Sequence, residues 1–116
     1  MVKYEEHLDA IFMALAHPAR RAMLAQLGKG DATVGELAQP FDMSLPAITK
    51  HLKVLERAKL ISRSKNAQWR PCRLEEAPLK TASGWIDEQR KVWESHLDRL
   101  EDYLHNLEKK KGRRDD

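Results

Sequence analysis

Three cations and a proline stand on one side of the segment SLPAITKHLKVLERAKL, residues 44–60: Pro46, Lys50, Lys53 and Arg57. At about 100° per residue these four form one stripe of a helix. Leu45, Ile48, Leu52 and Leu55 share another face, the pattern of a helix seated on a core. The cationic stripe carries no acid, whereas a merely solvated helix more often mixes signs through i,i+4 pairs. Its chemistry is therefore the neutralisation of an anion. Ser44 suits the N-cap, because its hydroxyl can accept from an orphan amide of the first turn. Pro46 loses little so near a helix start, where the amides lack helical partners anyway.

The charge around this segment follows the same bias. Residues 44–74 hold eight bases and one acid, Glu56, for a net +7. Residues 1–43 are net −2, residues 75–108 net −5, and residues 109–116 net +3. A basic middle between acidic flanks is the footprint of a nucleic-acid face on an ordinary domain. The chain's 116 residues suffice for one domain with a modest core. No apolar run approaches the ~18 residues of a membrane span. The N-terminal MVKYEEHLDA lacks a signal-peptide core. A lone Cys72 fits a reducing compartment, so a cytoplasmic, membrane-free protein is expected.

The elements that must position the stripe are legible as periods. Leu8, Ile11, Phe12 and Leu15 mark a first helix, broken at His17-Pro18. Pro18 opens a second helix, ARRAMLAQL, ending at Gly28 and Gly30. Thr33 caps a short third, VGELAQPF, and Asp42-Met43 turns into the cationic helix. Leu60 to Arg63 and Trp69 to Leu74 read as two short strands joined by residues 64–68, with Asn66 suited to positive φ and Pro71 marking an edge. This hairpin contains Arg63, Lys65, Arg70 and Arg73 and no acid. From about Ala77 to Glu108 runs a long helix. Ile86, Trp93, Leu100 and Leu107 recur every seven residues along it, with Leu97 and Leu104 between, a coiled-coil-like seam that calls for a second chain. The organisation expected is a single domain over 1–108 and a disordered basic tail over 109–116.

Two short helices, a tight turn and a cationic helix form a helix-turn-helix, and the basic hairpin after it makes a wing. ALAHPARRAMLAQL followed by GDATVGELAQPFDMSLPAITKHLKVLERAKLI resembles the ArsR/SmtB-type winged-helix repressor family over residues 8 to 74. The resemblance implies a mainly α (α+β) winged helix-turn-helix with about five helices and a two-stranded wing. It also implies a homodimer that binds a palindromic operator in double-stranded DNA and represses transcription. Lys59 departs from the family, which often has glycine where this helix ends, and the wing tip lacks the usual glycine.

The family's metal sites are not matched. One places cysteines on the helix before the turn, which here reads ELAQPFD. The other runs DxH…HxxE along the terminal helix with histidines eleven apart. His96 and His105 are nine apart, about 900° of rotation, so they point to opposite faces. No metal and no cofactor are expected. Nor is an enzyme, since there is no nucleophile triad, phosphate loop or cysteine pair. A metal- or thiol-responsive repressor of the same fold, the thiol being Cys72 beside Arg70 and Arg73, and a winged-helix protein-interaction module are the alternative readings.

Phosphate neutralisation and base reading divide the remaining candidates. Thr33 and Ser44 lie at helix starts, where hydroxyls and free amides suit phosphate. Pro46, Ala47, Thr49 and Lys50 occupy the first turns that enter a major groove, Lys50 reaching guanine and the Ala47 and Thr49 methyls reaching thymine. Lys53 lies further along, and His51 sits at the apolar boundary. Arg63, Lys65, Gln68 and Arg70 would carry the wing to an adjacent groove. Arg20 and Arg21 either position the first helices on the DNA backbone or anchor acidic neighbours. Leu8, Ile11 and Phe12, with Ile86, Trp93, Leu97, Leu100 and Leu104, are the expected dimer interface.

Overall fold

The computed structural model describes residues 2–64 and 70–114, and the side chains of residues 6–64 and 70–111. Among them the elements run α1 (Val2–Leu15), α2 (Pro18–Leu27), α3 (Val34–Ala38), α4 (Leu45–Arg57), β1 (Ile61–Arg63), β2 (Cys72–Leu74) and α5 (Glu76–Arg114). The chain divides into two compact units, Met1–Ala82 and Ser83–Asp116. The expected winged helix-turn-helix is present: α3 and α4 are its two helices and β1–β2 its wing. No helix among the described residues is long and apolar enough to cross a membrane.

The first unit closes over one apolar core. Ile48, Leu52 and Leu55 of α4 are fully buried there, in one cluster with Met23, Leu37, Leu60 and Cys72. Each such side chain contributes roughly 1.5–3 kcal/mol by leaving water, so α4 is held mainly by these three residues. Leu45 does not join them: it is 61% exposed. On the wheel it lies about 50° from the centre of the buried arc, on the side of Thr49 and Lys53. Leu8 and Ile11 of α1 are likewise buried within the chain. That corrects their assignment to a dimer interface, since a side chain already covered has little area left to offer.

The sequence His17-Pro18-Ala19-Arg20-Arg21 joins α1 to α2 by satisfying both helix ends. His17 N-caps α2, its Nδ1 accepting from the Ala19 amide at 3.1 Å, and Pro18 starts the helix without needing a donor. Arg20 donates to the carbonyls of Ala14 at 2.8 Å and Met13 at 2.9 Å, and Arg21 to that of Leu15 at 2.7 Å. Three of the four orphan carbonyls at the end of α1 are thus met by guanidinium groups, which also suit the negative end of the helix dipole. Both arginines are engaged within the chain, by carbonyls in place of the acidic neighbours expected.

β1 and β2 pair antiparallel with Ile61 opposite Leu74, Ser62 opposite Arg73 and Arg63 opposite Cys72. Ala32 adds a one-residue bridge on the far side of Cys72, with bonds of 2.7 and 3.2 Å. The loop after α2 was not expected to enter the sheet, because a single bridging residue has no period. The second strand is shorter than expected, starting after Pro71, and Arg70 before it adopts φ 35°. Trp69 and Asn66 lie outside the described residues.

α4 ends in a complete Schellman motif. The Leu60 amide donates to the Leu55 carbonyl at 3.0 Å and the Lys59 amide to the Glu56 carbonyl at 2.9 Å, with Lys59 between them at φ 60°. Leu55 and Leu60, the apolar pair of the motif, are both fully buried. The left-handed cost at a non-glycine residue, about 1–2 kcal/mol, is outweighed by the burial on either side of it.

In the second unit, α5 continues to Arg114, well past the end expected at Glu108. Lysine and arginine are good helix formers and favour a helix C-terminus. Ile86, Val92, Trp93, Leu97, Leu100, Leu104 and Leu107 are all 45–67% exposed in the single chain.

Lys59→Gly is expected to raise the unfolding free energy by about 1 kcal/mol, because glycine adopts the left-handed C′ conformation without strain. Urea denaturation of the two proteins measures it, and a loss of stability would contradict the assigned cap.

Candidate nucleic-acid interface

α4 begins where Ser44 accepts from the Ala47 amide at 3.3 Å. Capping leaves Pro46 and Ala47 in the first turn, followed by Thr49, Lys50 and Lys53 on the outward side. Pro46, Lys50, Lys53 and Arg57 are exposed, and Ala47 and Thr49 partly so. Leu45, Pro46, Ala47, Thr49, Lys50 and Lys53 together line an open recess on this face. No acid interrupts the stripe: Glu56, the acid of α4, turns away to Arg63.

That pairing changes the electrostatics of the wing. Arg63 Nε lies 3.1 Å from Glu56 Oε2. The approach is off the line a hydrogen bond needs, so the buried Nε makes a charge contact only. Arg73 reaches Asp31 at 3.3 Å. Two wing arginines are therefore paired with acids outside the wing, Arg63 with Glu56 near the end of α4 and Arg73 with Asp31 in the loop after α2. Arg70 stays exposed. Lys65 and Gln68 lie outside the described residues.

His51 is the expected contact whose surroundings differ most. It is partly buried between α4 and the α1–α2 junction, 4.4 Å ring to ring from His17. Its Nδ1 lies 3.1 Å from Arg20 Nη1. Arginine can only donate, so Nδ1 is the acceptor and the neutral ring carries its proton on Nε2. Desolvation first, then the charges of His17 and Arg20, hold the His51 pKa below its ordinary value.

Thr33 is also engaged. Its hydroxyl accepts from the Glu36 amide at 3.2 Å and donates to the Glu36 carboxylate at 3.1 Å, which in turn accepts from the Thr33 amide. This capping box places a negative charge at the start of α3, where a phosphate would have to sit. Thr33 therefore acts as a cap, its hydroxyl engaged on both sides by Glu36.

A helix-turn-helix domain model matches residues 15–63. The chain is 33% identical over 79 residues to the transcriptional repressor SdpR of Bacillus subtilis, covering 68% of this chain and 88% of that one. It is also similar to the crystal structure of an ArsR family transcriptional regulator, RHA00566. That likeness has 46% identity and a TM-score of 0.74, over 78% of this chain and 94% of the other. The chain belongs to the ArsR family of transcriptional regulators. A homodimeric winged helix-turn-helix domain from Mycobacterium bovis, 18% identical, shares the fold with a TM-score of 0.61 over 78% of this chain and 86% of the other.

Within this ArsR-family chain the thiol alternative finds little support. Cys72 is fully buried, and burial pushes its thiol pKa up, with Glu56 adding and Arg63 opposing. A thiol held protonated and covered is a poor sensor. His96 and His105 are exposed on α5.

Because His51 has a lowered pKa in the folded state, its contribution to stability is complete above the ordinary histidine value of about 6.5 and is lost as pH falls through the lowered one. His51→Gln keeps an acceptor for Arg20 but cannot titrate. Thermal melts from about pH 7.5 down to 5.5 are expected to show a steeper loss in the wild type than in this variant. Equal slopes would contradict the assignment.

Proposed function

We propose that this ArsR-family regulator is a homodimeric repressor of a palindromic operator. α4 reads the major groove, and the β1–β2 wing contacts an adjacent groove. The observation that carries this reading is the outward face of α4: Pro46, Lys50, Lys53 and Arg57 exposed in one stripe, with the helix's acid, Glu56, off that stripe and paired with Arg63. Ser44 and the first-turn amides suit phosphate, Lys50 suits guanine O6 and N7, and Lys53 and Arg57 suit the backbone. Arg70 is the described wing cation left exposed without an acid recorded against it.

The partner is a second copy. Ile86, Trp93, Leu97, Leu100 and Leu104 are exposed at heptad spacing, and such a seam buries itself against a like helix. The homodimeric Mycobacterium bovis domain supports this arrangement. Pairing would set two copies of α4 about 34–36 Å apart, one turn of duplex, so that symmetry in the protein meets symmetry in the operator. Occupancy of a promoter then suffices for repression.

Selection of bound duplexes from a random pool tests the whole reading: an inverted repeat with half-sites one turn apart is expected, and an asymmetric consensus or none would overturn it. Lys50→Ala is expected to cost ~1–3 kcal/mol and to relax preference at one position. Arg57→Ala is expected to weaken all sequences alike and lower the salt slope by about one. Both are read by fluorescence anisotropy across salt. Trp93→Arg is expected to give a monomer in sedimentation and to lose affinity for the full operator.

A further inference from the structure

The outward face of α4 is not only cationic. Leu45, at the first position of the helix, is 61% exposed, and Met43 just before it is 37% exposed. Leu45 shares its recess with Pro46, Ala47 and Thr49, and with Lys50 and Lys53. A scattered exposed leucine needs no explanation. This one is gathered with other carbon-bearing residues beside two lysines, in a recess that no acid lines. An apolar surface beside cations is complementary to an apolar group beside phosphates. Among the edges that duplex DNA presents in its major groove, that group is the C5-methyl of thymine.

We propose that Leu45 is a specificity-determining residue that reads thymine through its methyl group, with Pro46 and Ala47 completing the apolar surface. The inference rests on the operator reading above and adds what the half-site must contain. Backbone contacts such as those given to Lys53 and Arg57 supply attraction that any sequence satisfies. An apolar contact supplies a difference between bases, because cytosine in the same place offers no methyl and an amine donor that carbon cannot meet. Leu45 contributes nothing to the core, so selection among operators and stability of the fold are separable at this position.

The test uses the full-length protein and the operator recovered by selection. Each thymine of the half-site is replaced in turn by deoxyuridine, which removes the methyl and leaves the hydrogen-bonding edge unchanged. Wild-type protein is expected to lose about fourfold in affinity at one or two positions, the transfer value of one methyl group. Leu45→Ala is expected to bind the thymine operator more weakly by a similar factor and to lose nothing further on uracil at that position. Leu45→Met, which keeps apolar bulk, is expected to retain the discrimination. Leu45→Gln is expected to shift preference there from thymine to adenine. Thermal melts confirm that the variants fold. The proposal is overturned if the leucine and methyl losses multiply independently, if Leu45→Ala binds like wild type, or if no thymine is sensitive to demethylation. Those results leave sequence-selective binding by the wild type standing. Absence of selectivity in the wild type itself would overturn the operator reading and this inference together.

Discussion

One guanidinium group fixes where α4 can point. Arg20 donates to Met13 and Ala14 at the end of α1 and to His51 in the middle of α4. It is itself carried by α2, two residues after the proline that starts that helix. Three helices therefore meet at one rigid, planar donor. Carbonyls at a helix end are costly to leave unmet where water is excluded, so the group is held by what it satisfies. Lysine could not replace it, having one nitrogen in place of a fork. The core of Ile48, Leu52 and Leu55 decides which side of α4 faces inward. Arg20 ties that helix at its midpoint to the junction of α1 and α2. The outward stripe is the complement of these two constraints.

The same economy governs charge. A surface meant for a polyanion must be cationic without repelling itself apart. The chain achieves this by assigning acids selectively. Glu56 turns to Arg63 and Asp31 to Arg73, so these two arginines bind the wing to α4 and to the loop after α2. Among the described residues, Lys50, Lys53, Arg57 and Arg70 form no such pair. The exposed ion pair of Arg73 and Asp31 adds little stability; its effect is to remove a positive charge from one edge and hold the loop near β2. What reads as eight bases against one acid in residues 44–74 is in space a smaller and better-defined cationic face.

That difference marks the boundary of what the sequence could tell. Helix starts and stops were legible because caps are local: Ser44, Thr33, Pro18 and Lys59 all act within four residues of themselves. The buried face of α4 was legible because its period is 3.6. The meeting of Arg73 with Asp31 and of Arg20 with His51 was not, since each joins segments distant in sequence, and the nearer pairing of Arg63 with Glu56 was missed because composition counts charges without pairing them. Thr33 was correctly placed as a cap, while the Glu36 carboxylate that closes its capping box went unread. Leu45 was misplaced for a geometric reason. A helical wheel assigns direction, not depth, and the first turn of α4 lies at the margin of the buried arc. The signal was available in its 50° offset from that arc's centre, on the side of Thr49 and Lys53.

The long α5 bears on why affinity and assembly should be one property. At ~1.5 Å per residue its 39 residues span close to ~58 Å, and an isolated helix draws little stability from propensity alone. Its seam side chains stand about half exposed in the single chain. Covering each Leu, Ile or Trp with a like helix returns roughly 1–2 kcal/mol on the transfer scale. Five such residues from each of two chains bring that return to about the size of the ~4–15 kcal/mol lost on association. A homodimer closed by this seam, as proposed, would be stable but not inexhaustibly so. A duplex engaging both copies of α4 would add its own free energy to the same equilibrium, and by linkage the operator would strengthen the dimer as much as the dimer strengthens operator binding. Any signal that loosens the seam would then release DNA without touching α4.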